Sequence, residues 1–185
     1  LKSKFYIADE PEEVKKAYGS GRFAESCIIA RRLIEAGVAC VEVVLGGWDT
    51  HDDNAERVAE RCAILDRALP ALLADLERHG LLATTLVALV SEFGRTPQYN
   101  QRDGRDHHPK CFSALLAGGG VRGGTVHGAS DEDGVAPARD PVEVPDLNAT
   151  IAHALGCDTT QVVKAPDGRP FTVADRGRPL AGLFG

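Results

Sequence analysis

Apolar residues recur three or four positions apart in three parts of the chain, which is the spacing of one helix face. This pattern predicts helices over residues 11–36, with a break at its glycines, over residues 53–80, and over residues 145–156. Asp53 and Glu56 stand three residues apart at the start of the second helix, as in a capping box. Glycine follows or closes each pattern, and glycine commonly ends helices. The chain therefore alternates helices with other segments.

Three nearly continuous apolar runs lie between these helices, at residues 38–45, 85–90 and 111–117. A short apolar run of this kind is typical of a strand that is buried on both faces, as in a parallel sheet. Strands that alternate with helices favour an α/β fold. We therefore expect a mostly parallel sheet flanked by helices.

The length of 185 residues is sufficient for one domain, and we expect residues 1–185 to form a single one. The acidic, proline-containing stretch 129–141 is predicted to be a surface loop, and residues 157–185 a loop-rich tail. A formal net charge of -6 argues against the basic face that nucleic acid requires, so we expect no nucleic-acid partner. No apolar run reaches the roughly 20 residues of a membrane span.

The most polar loops follow the first two predicted strands, where ligands bind in parallel sheets. Asp49 and His51 lie two residues apart in the first loop, and their side chains suit zinc, manganese or a similar divalent ion. The same residue types before a helix are also ordinary capping residues. Taken alone, this loop leaves both interpretations open.

Glu92 directly follows the second predicted strand, with Arg95 three residues later. A carboxylate at the mouth of a buried strand needs a partner, because burying it unpaired is costly. Arg95 could be that partner in a structural ion pair. Alternatively, Glu92 binds a metal ion and the guanidinium of Arg95 contacts a substrate oxyanion.

His107 and His108 follow a carboxylate in a third polar stretch. Neighbouring side chains in an extended segment point in opposite directions, so at most one of the two histidines faces a given site. We assign His107 to the candidate site and expect His108 to be a surface residue.

Three ordered motifs together resemble one family. It is a large group of bacterial proteins with domain of unknown function 1501, often labelled sulfatases, and it is itself similar to the alkaline phosphatase superfamily. The motifs are residues 46–51, 92–97 and 104–107, and the similarity continues through residues 116–120 and 146–156. The chain resembles the C-terminal part of these proteins.

The resemblance implies a partial alkaline-phosphatase-like three-layer sandwich, of which this chain would be the C-terminal half. By resemblance, Asp49, His51, Glu92 and His107 are metal ligands for zinc, manganese or calcium, and Arg95 is a catalytic residue. His107 could instead act as a general acid. Glu92 stands where the superfamily has an Asp-His pair, so one metal ion could replace two. The nucleophile would come from the N-terminal half.

The function implied is hydrolysis of phosphate or sulfate esters, with a small anionic ester such as a sulfated or phosphorylated glycan as substrate. The resemblance also implies export of the parent protein by the twin-arginine route. The alternative is a non-catalytic exported protein whose metal site serves structure or binds a glycan or another partner. In a third interpretation all four residues are caps and ion pairs. An open sheet edge would also favour a homodimer.

Overall fold

A computed structural model describes every residue from Leu1 to Gly185. It contains four α-helices, which are α1 (Glu12–Tyr18), α2 (Arg22–Glu35), α3 (Asn54–Arg78) and α4 (Val144–Ala154). Short 3-10 turns occupy Lys2–Phe5, Leu82–Thr84 and Ala181–Leu183. The eight strands are β1 (Leu86–Leu89), β2 (Gly94–Arg95), β3 (His107–His108), β4 (Leu115–Gly118), β5 (Ala129–Ser130), β6 (Pro137–Arg139), β7 (Val162–Lys164) and β8 (Pro170–Thr172).

The chain divides into two compact units. The first comprises Leu1–Thr85 and Gln98–Asp106, and the second comprises Leu86–Pro97 and His107–Gly185. The first unit therefore holds α1, α2 and α3, and all strands and α4 belong to the second. No helix is both long enough and apolar enough to cross a membrane.

The three predicted helical regions are confirmed. The first is divided into α1 and α2 by Gly19 and Gly21, whose φ angles of 93° and 90° favour glycine. The second region is α3, which begins one residue after Asp53. The predicted capping box is wrong, since Asp53 has a left-handed backbone with φ 47° and its side chain makes no capping hydrogen bond.

The first unit packs its three helices around a small apolar core. Tyr18, Ala24, Cys27, Ile28 and Ala68 form this core, and each is at most 3% exposed. They come from α1, α2 and α3, so the apolar faces that the spacing predicted do meet. Burial of these faces supplies most of the stabilisation of such helices.

A buried polar network crosses the same helices. The Asp75 carboxylate accepts hydrogen bonds from the Tyr18 hydroxyl at 2.8 Å and from Arg31 Nε at 2.9 Å. Arg31 Nη2 also donates to Glu10 at 2.7 Å, which joins the N-terminal segment to α2 and α3. Burial, assisted by the neighbouring Asp75 carboxylate, raises the pKa of Tyr18 well above its ordinary value. Its hydroxyl therefore stays a donor at physiological pH.

Four separate pairs of strands make up the β structure of the second unit, and every pair is antiparallel. In the pair β1–β4, Leu86 lies opposite Gly118 and Leu89 opposite Leu115. In the pair β2–β3, Arg95 lies opposite His107. Helix α4 begins with a reciprocal capping pair of Glu143 and Asp146.

The predicted mostly parallel sheet, and with it the alkaline-phosphatase-like three-layer sandwich, is wrong. Only short two-stranded antiparallel sheets are present. The predicted strand over residues 38–45 is absent: Val43 packs against the core of the first unit, while Val44 is 75% exposed. The sheet was predicted wrongly because a short apolar run indicates that a segment is buried but does not identify the strand with which it pairs.

Candidate metal centre

His51 stands between two carboxylates in the first unit. Its Nε2 atom lies 3.1 Å from Asp49 Oδ1, and its Nδ1 atom lies 2.7 Å from Asp106 Oδ1. The side chains are partly accessible, with 31% of His51 and 65% of Asp49 exposed. The hydrogen bond with His51, followed by one from Asn100, holds the pKa of Asp106 below its usual range. Asp106 is therefore a carboxylate at neutral pH.

Two loops that are distant in sequence bring these residues together. The backbone N–H of Arg105 donates to the Thr50 carbonyl at 3.0 Å, and the N–H of Asn54 donates to the Asp103 carbonyl at 2.9 Å. A single antiparallel bridge joins Asp52 to Asp103. The loop that carries Asp49 and His51 is thus fixed to residues 98–106 by backbone hydrogen bonds on both sides of His51.

Gly104 allows these loops to approach closely. A Cβ atom at this position would lie 1.9 Å from the His51 carbonyl oxygen and 2.5 Å from the backbone nitrogen of Asp52. Any residue other than glycine would therefore push the His51 backbone away from the 98–106 loop. This contact explains why glycine is needed next to the candidate site.

Asn100 is the organiser of the second loop. Its Oδ1 atom accepts hydrogen bonds from the backbone N–H groups of Arg102 at 2.8 Å and Gly104 at 3.0 Å. Its Nδ2 atom donates to the His51 carbonyl at 3.0 Å and to Asp106 Oδ1 at 3.2 Å. The amide side chain of Asn100 thus closes the turn and contacts both His51 and the carboxylate beside it, Asp106.

Glu92, Arg95 and His107 belong to the second unit. Glu92 is 62% exposed, and its carboxylate lies 3.6 Å from Arg95 Nη2. The Arg95 guanidinium lies 5.8 Å from the centre of the Phe93 ring, and the rings of Phe93 and His107 are 4.2 Å apart. His108 Nε2 lies 2.7 Å from the Val135 carbonyl oxygen, so the two histidines have different surroundings.

Asp49 and His51 bring together one carboxylate and one imidazole within the first unit, and both are ligand types that metal sites use. His107 is bonded directly to Asp106, the last residue of the loop that contacts His51. A divalent cation is compatible with these ligand types, and no particular metal is indicated by them.

Three residues of this site were missed in the sequence. Asn100 and Asp106 contact His51 across about fifty residues of chain, and Gly104 is needed only because those loops meet. One local signal exists, since asparagine followed by a glycine four residues later suits a side-chain-capped turn. That signal predicts a turn but not what the turn contacts.

The family of the chain follows from comparison with known proteins. No curated protein and no solved structure matches the chain. The family model described as "Protein of unknown function (DUF1501)" matches residues 1–184, which include every residue of the candidate site. The chain therefore belongs to the DUF1501 family.

Proposed function

We propose that this chain carries the metal-binding part of a hydrolase that cleaves phosphate or sulfate esters. The observation that carries the proposal is the pairing of Asp49 and His51, whose ligand atoms are 3.1 Å apart. Two atoms that bind one zinc-sized ion at ordinary bond lengths and angles are about 2.9–3.4 Å apart. The spacing therefore suits two ligands of a single ion.

The loop geometry supports a preformed position for that ion. The backbone hydrogen bonds around Thr50 and Asn54, and the close contact at Gly104, restrict the loop before any ligand arrives. A bound divalent ion would supply Lewis-acid polarisation of an ester oxygen. Asp49 and His51 would hold it, and we assign His107 and Glu92 as further ligands on the strength of the family motifs.

Arg95 is proposed to bind the ester oxyanion. Its guanidinium offers a planar set of donors that matches phosphate and sulfate oxygens. Its side chain is only 16% exposed, and its neighbours Glu92 and Phe93 limit its freedom. A guanidinium held in this way loses less entropy when it binds an anion than one on a free side chain.

Metal content is the first test of the proposal. The protein is purified without chelator, incubated with zinc or manganese, desalted and analysed by elemental mass spectrometry, together with three alanine variants. We expect about one bound ion, lost in Asp49→Ala and His107→Ala but retained in His108→Ala, the matched histidine control. Absence of metal from the wild-type protein, or equal content in all variants, would refute the metal site.

Turnover of aryl phosphate and aryl sulfate esters is the second test. We expect Arg95→Ala to lower kcat by about 100-fold, a typical effect of losing one oxyanion donor. Arg139→Ala, at a 68% exposed arginine of the same unit, serves as the control and should leave turnover unchanged. Metal binding without turnover of either ester by the wild type would instead favour a non-catalytic protein that uses the site for structure or for partner binding.

A further inference from the structure

We infer that Asn100 and Asp106 set the tautomer of His51 and so aim its Nε2 lone pair at the ion position beside Asp49. This inference rests on the proposed metal site but assigns a positioning role to two residues outside the predicted ligand set. It depends only on residues of the first unit.

The orientation of the Asn100 amide is fixed by the backbone. Its Oδ1 atom faces two N–H groups, those of Arg102 and Gly104, and only an oxygen can accept from both. The opposite orientation would direct the NH₂ group against two donors. The Nδ2 atom must therefore lie on the other side, where it meets the His51 carbonyl and Asp106.

The protonation of His51 Nδ1 follows from this orientation. Asp106 Oδ1 accepts a hydrogen bond from Asn100 Nδ2 and lies 2.7 Å from His51 Nδ1. An ionised carboxylate has no proton to donate, so Nδ1 must carry the hydrogen of this short contact. In the neutral imidazole the other nitrogen, Nε2, then has a lone pair.

The lone pair of Nε2 is directed towards a second electron donor. Asp49 Oδ1 lies 3.1 Å from Nε2, and neither atom of this pair brings a proton when the imidazole is neutral. A cation between two such atoms stabilises the pair, and this cation is either a metal ion or the second proton of an imidazolium. The backbone N–H groups of Arg102 and Gly104 thus determine, through Asn100 and Asp106, that His51 offers a ligand atom beside Asp49. A histidine ligand in metal sites is commonly oriented in this way by a carboxylate.

The tautomer can be observed directly without any metal. A long-range proton–nitrogen NMR spectrum of the metal-free protein is recorded at about pH 9, where an ordinary imidazole is neutral. A His51→Gln variant assigns the signals of His51. We expect a protonated Nδ1 and an unprotonated Nε2 in the wild-type protein. A protonated Nε2 would overturn the inference, whatever the protein binds.

Asn100→Asp separates a positioning role from a purely structural one. The new carboxylate still accepts from the N–H groups of Arg102 and Gly104, so the turn is kept, but it cannot donate to Asp106. An added negative charge alone would tighten cation binding. We expect the opposite, a zinc affinity weakened by about 10–100-fold, which is the usual effect of losing an outer partner of a ligand.

Two further variants complete the experiment. Gln101→Glu makes the same charge change at the neighbouring exposed residue and should bind zinc at least as tightly as the wild type. Asp106→Leu removes the acceptor itself and should weaken binding by about 10–100-fold even if Asn100→Asp does not fold. Wild-type affinity in both Asn100→Asp and Asp106→Leu would overturn the positioning role.

The two proposals fail in different ways. If His51 has the expected tautomer but the wild-type protein binds no metal, the metal-dependent function is wrong and the assignment of the hydrogen-bond chain remains. If the wild type binds metal but the tautomer is reversed, the chain from Asn100 to His51 is wrong and the metal site remains.

Discussion

Gly104→Ala tests whether the contact between the two loops shapes the candidate site. The new Cβ would lie 1.9 Å from the His51 carbonyl oxygen, whereas an ordinary van der Waals contact begins near 3.4 Å. The two backbones must therefore separate by about 1.5 Å at this point. The atoms that the new Cβ would meet belong to the backbone of His51 and Asp52, so no flexible side chain can move aside to relieve the clash.

The cost of this separation can be estimated from the hydrogen bonds that it stretches. The bonds from Asn100 to His51, from Arg105 to Thr50 and from Asn54 to Asp103 are all 2.9–3.0 Å long. An added 1.5 Å would break them, and each contributes about 1 kcal/mol net. We expect a loss of about 2–4 kcal/mol, within the range for strong overpacking.

Urea denaturation followed by circular dichroism measures this loss, and zinc titration measures its effect on the site. Gly46→Ala is the matched control, because that glycine lies in the same loop and an added Cβ would meet nothing within 4 Å. Its free energy of unfolding should change by no more than about 0.5 kcal/mol. Equal stability of Gly104→Ala and Gly46→Ala would refute the close contact and the loop arrangement built on it.

Three further predictions concern the scaffold. Tyr18→Phe removes the donor to Asp75 and should cost about 1.5–3 kcal/mol in urea denaturation, whereas Tyr6→Phe, at a 71% exposed position, should change stability by less than about 0.5 kcal/mol. Burial acts to raise the pKa of Asp75, but the Tyr18 hydrogen bond and the adjacent guanidinium groups outweigh it and hold the pKa below its ordinary value. The ionised carboxylate therefore stabilises the folded state fully above its unfolded pKa of about 3.9, and this stabilisation is lost as the pH falls through the lower folded pKa. Asp75→Asn should accordingly make the free energy of unfolding less dependent on pH on the acid side of the profile. Asp146→Ala should lower the free energy of unfolding by about 1–2 kcal/mol, because Asp146 both caps α4 and accepts a hydrogen bond from the Arg178 N–H at 2.7 Å. A variant with the melting temperature of the wild type would contradict that role.

The helices could be predicted from the sequence because their signals are local. Repeated apolar spacing marked the packed faces of α2 and α3, and glycines such as Gly37, with φ 84°, marked the ends. The sheet could not be predicted in this way. The run that contains β1 was identified correctly as a strand, but its pairing with β4 is antiparallel and joins segments almost thirty residues apart. Apolar runs carry no information about strand direction.

In the candidate site, too, the sequence indicated only the residues whose signal is local. Asp49 and His51 are two residues apart, so their residue types and spacing are enough to suggest two ligands of one ion. Asn100 and Asp106 act on His51 from another loop, and nothing near His51 in the sequence indicates them. Their carboxylate and amide groups are common in turns, which gave no reason to connect them with a histidine fifty residues earlier.

The arrangement around His51 also bears on how a partly exposed site could bind a metal tightly. An exposed histidine loses entropy when its ring is ordered on binding, and both of its tautomers compete in solution. Here the ring is already held by Asp106, and Asp106 is held by an amide whose direction the backbone determines. The ordering cost is therefore met during folding, when the turn at Asn100 closes. Under the proposed function, the metal affinity would therefore depend as much on the stability of the 98–106 turn as on the ligands themselves. Gly104 and Asn100 would couple the affinity to that stability, because both contact the His51 backbone.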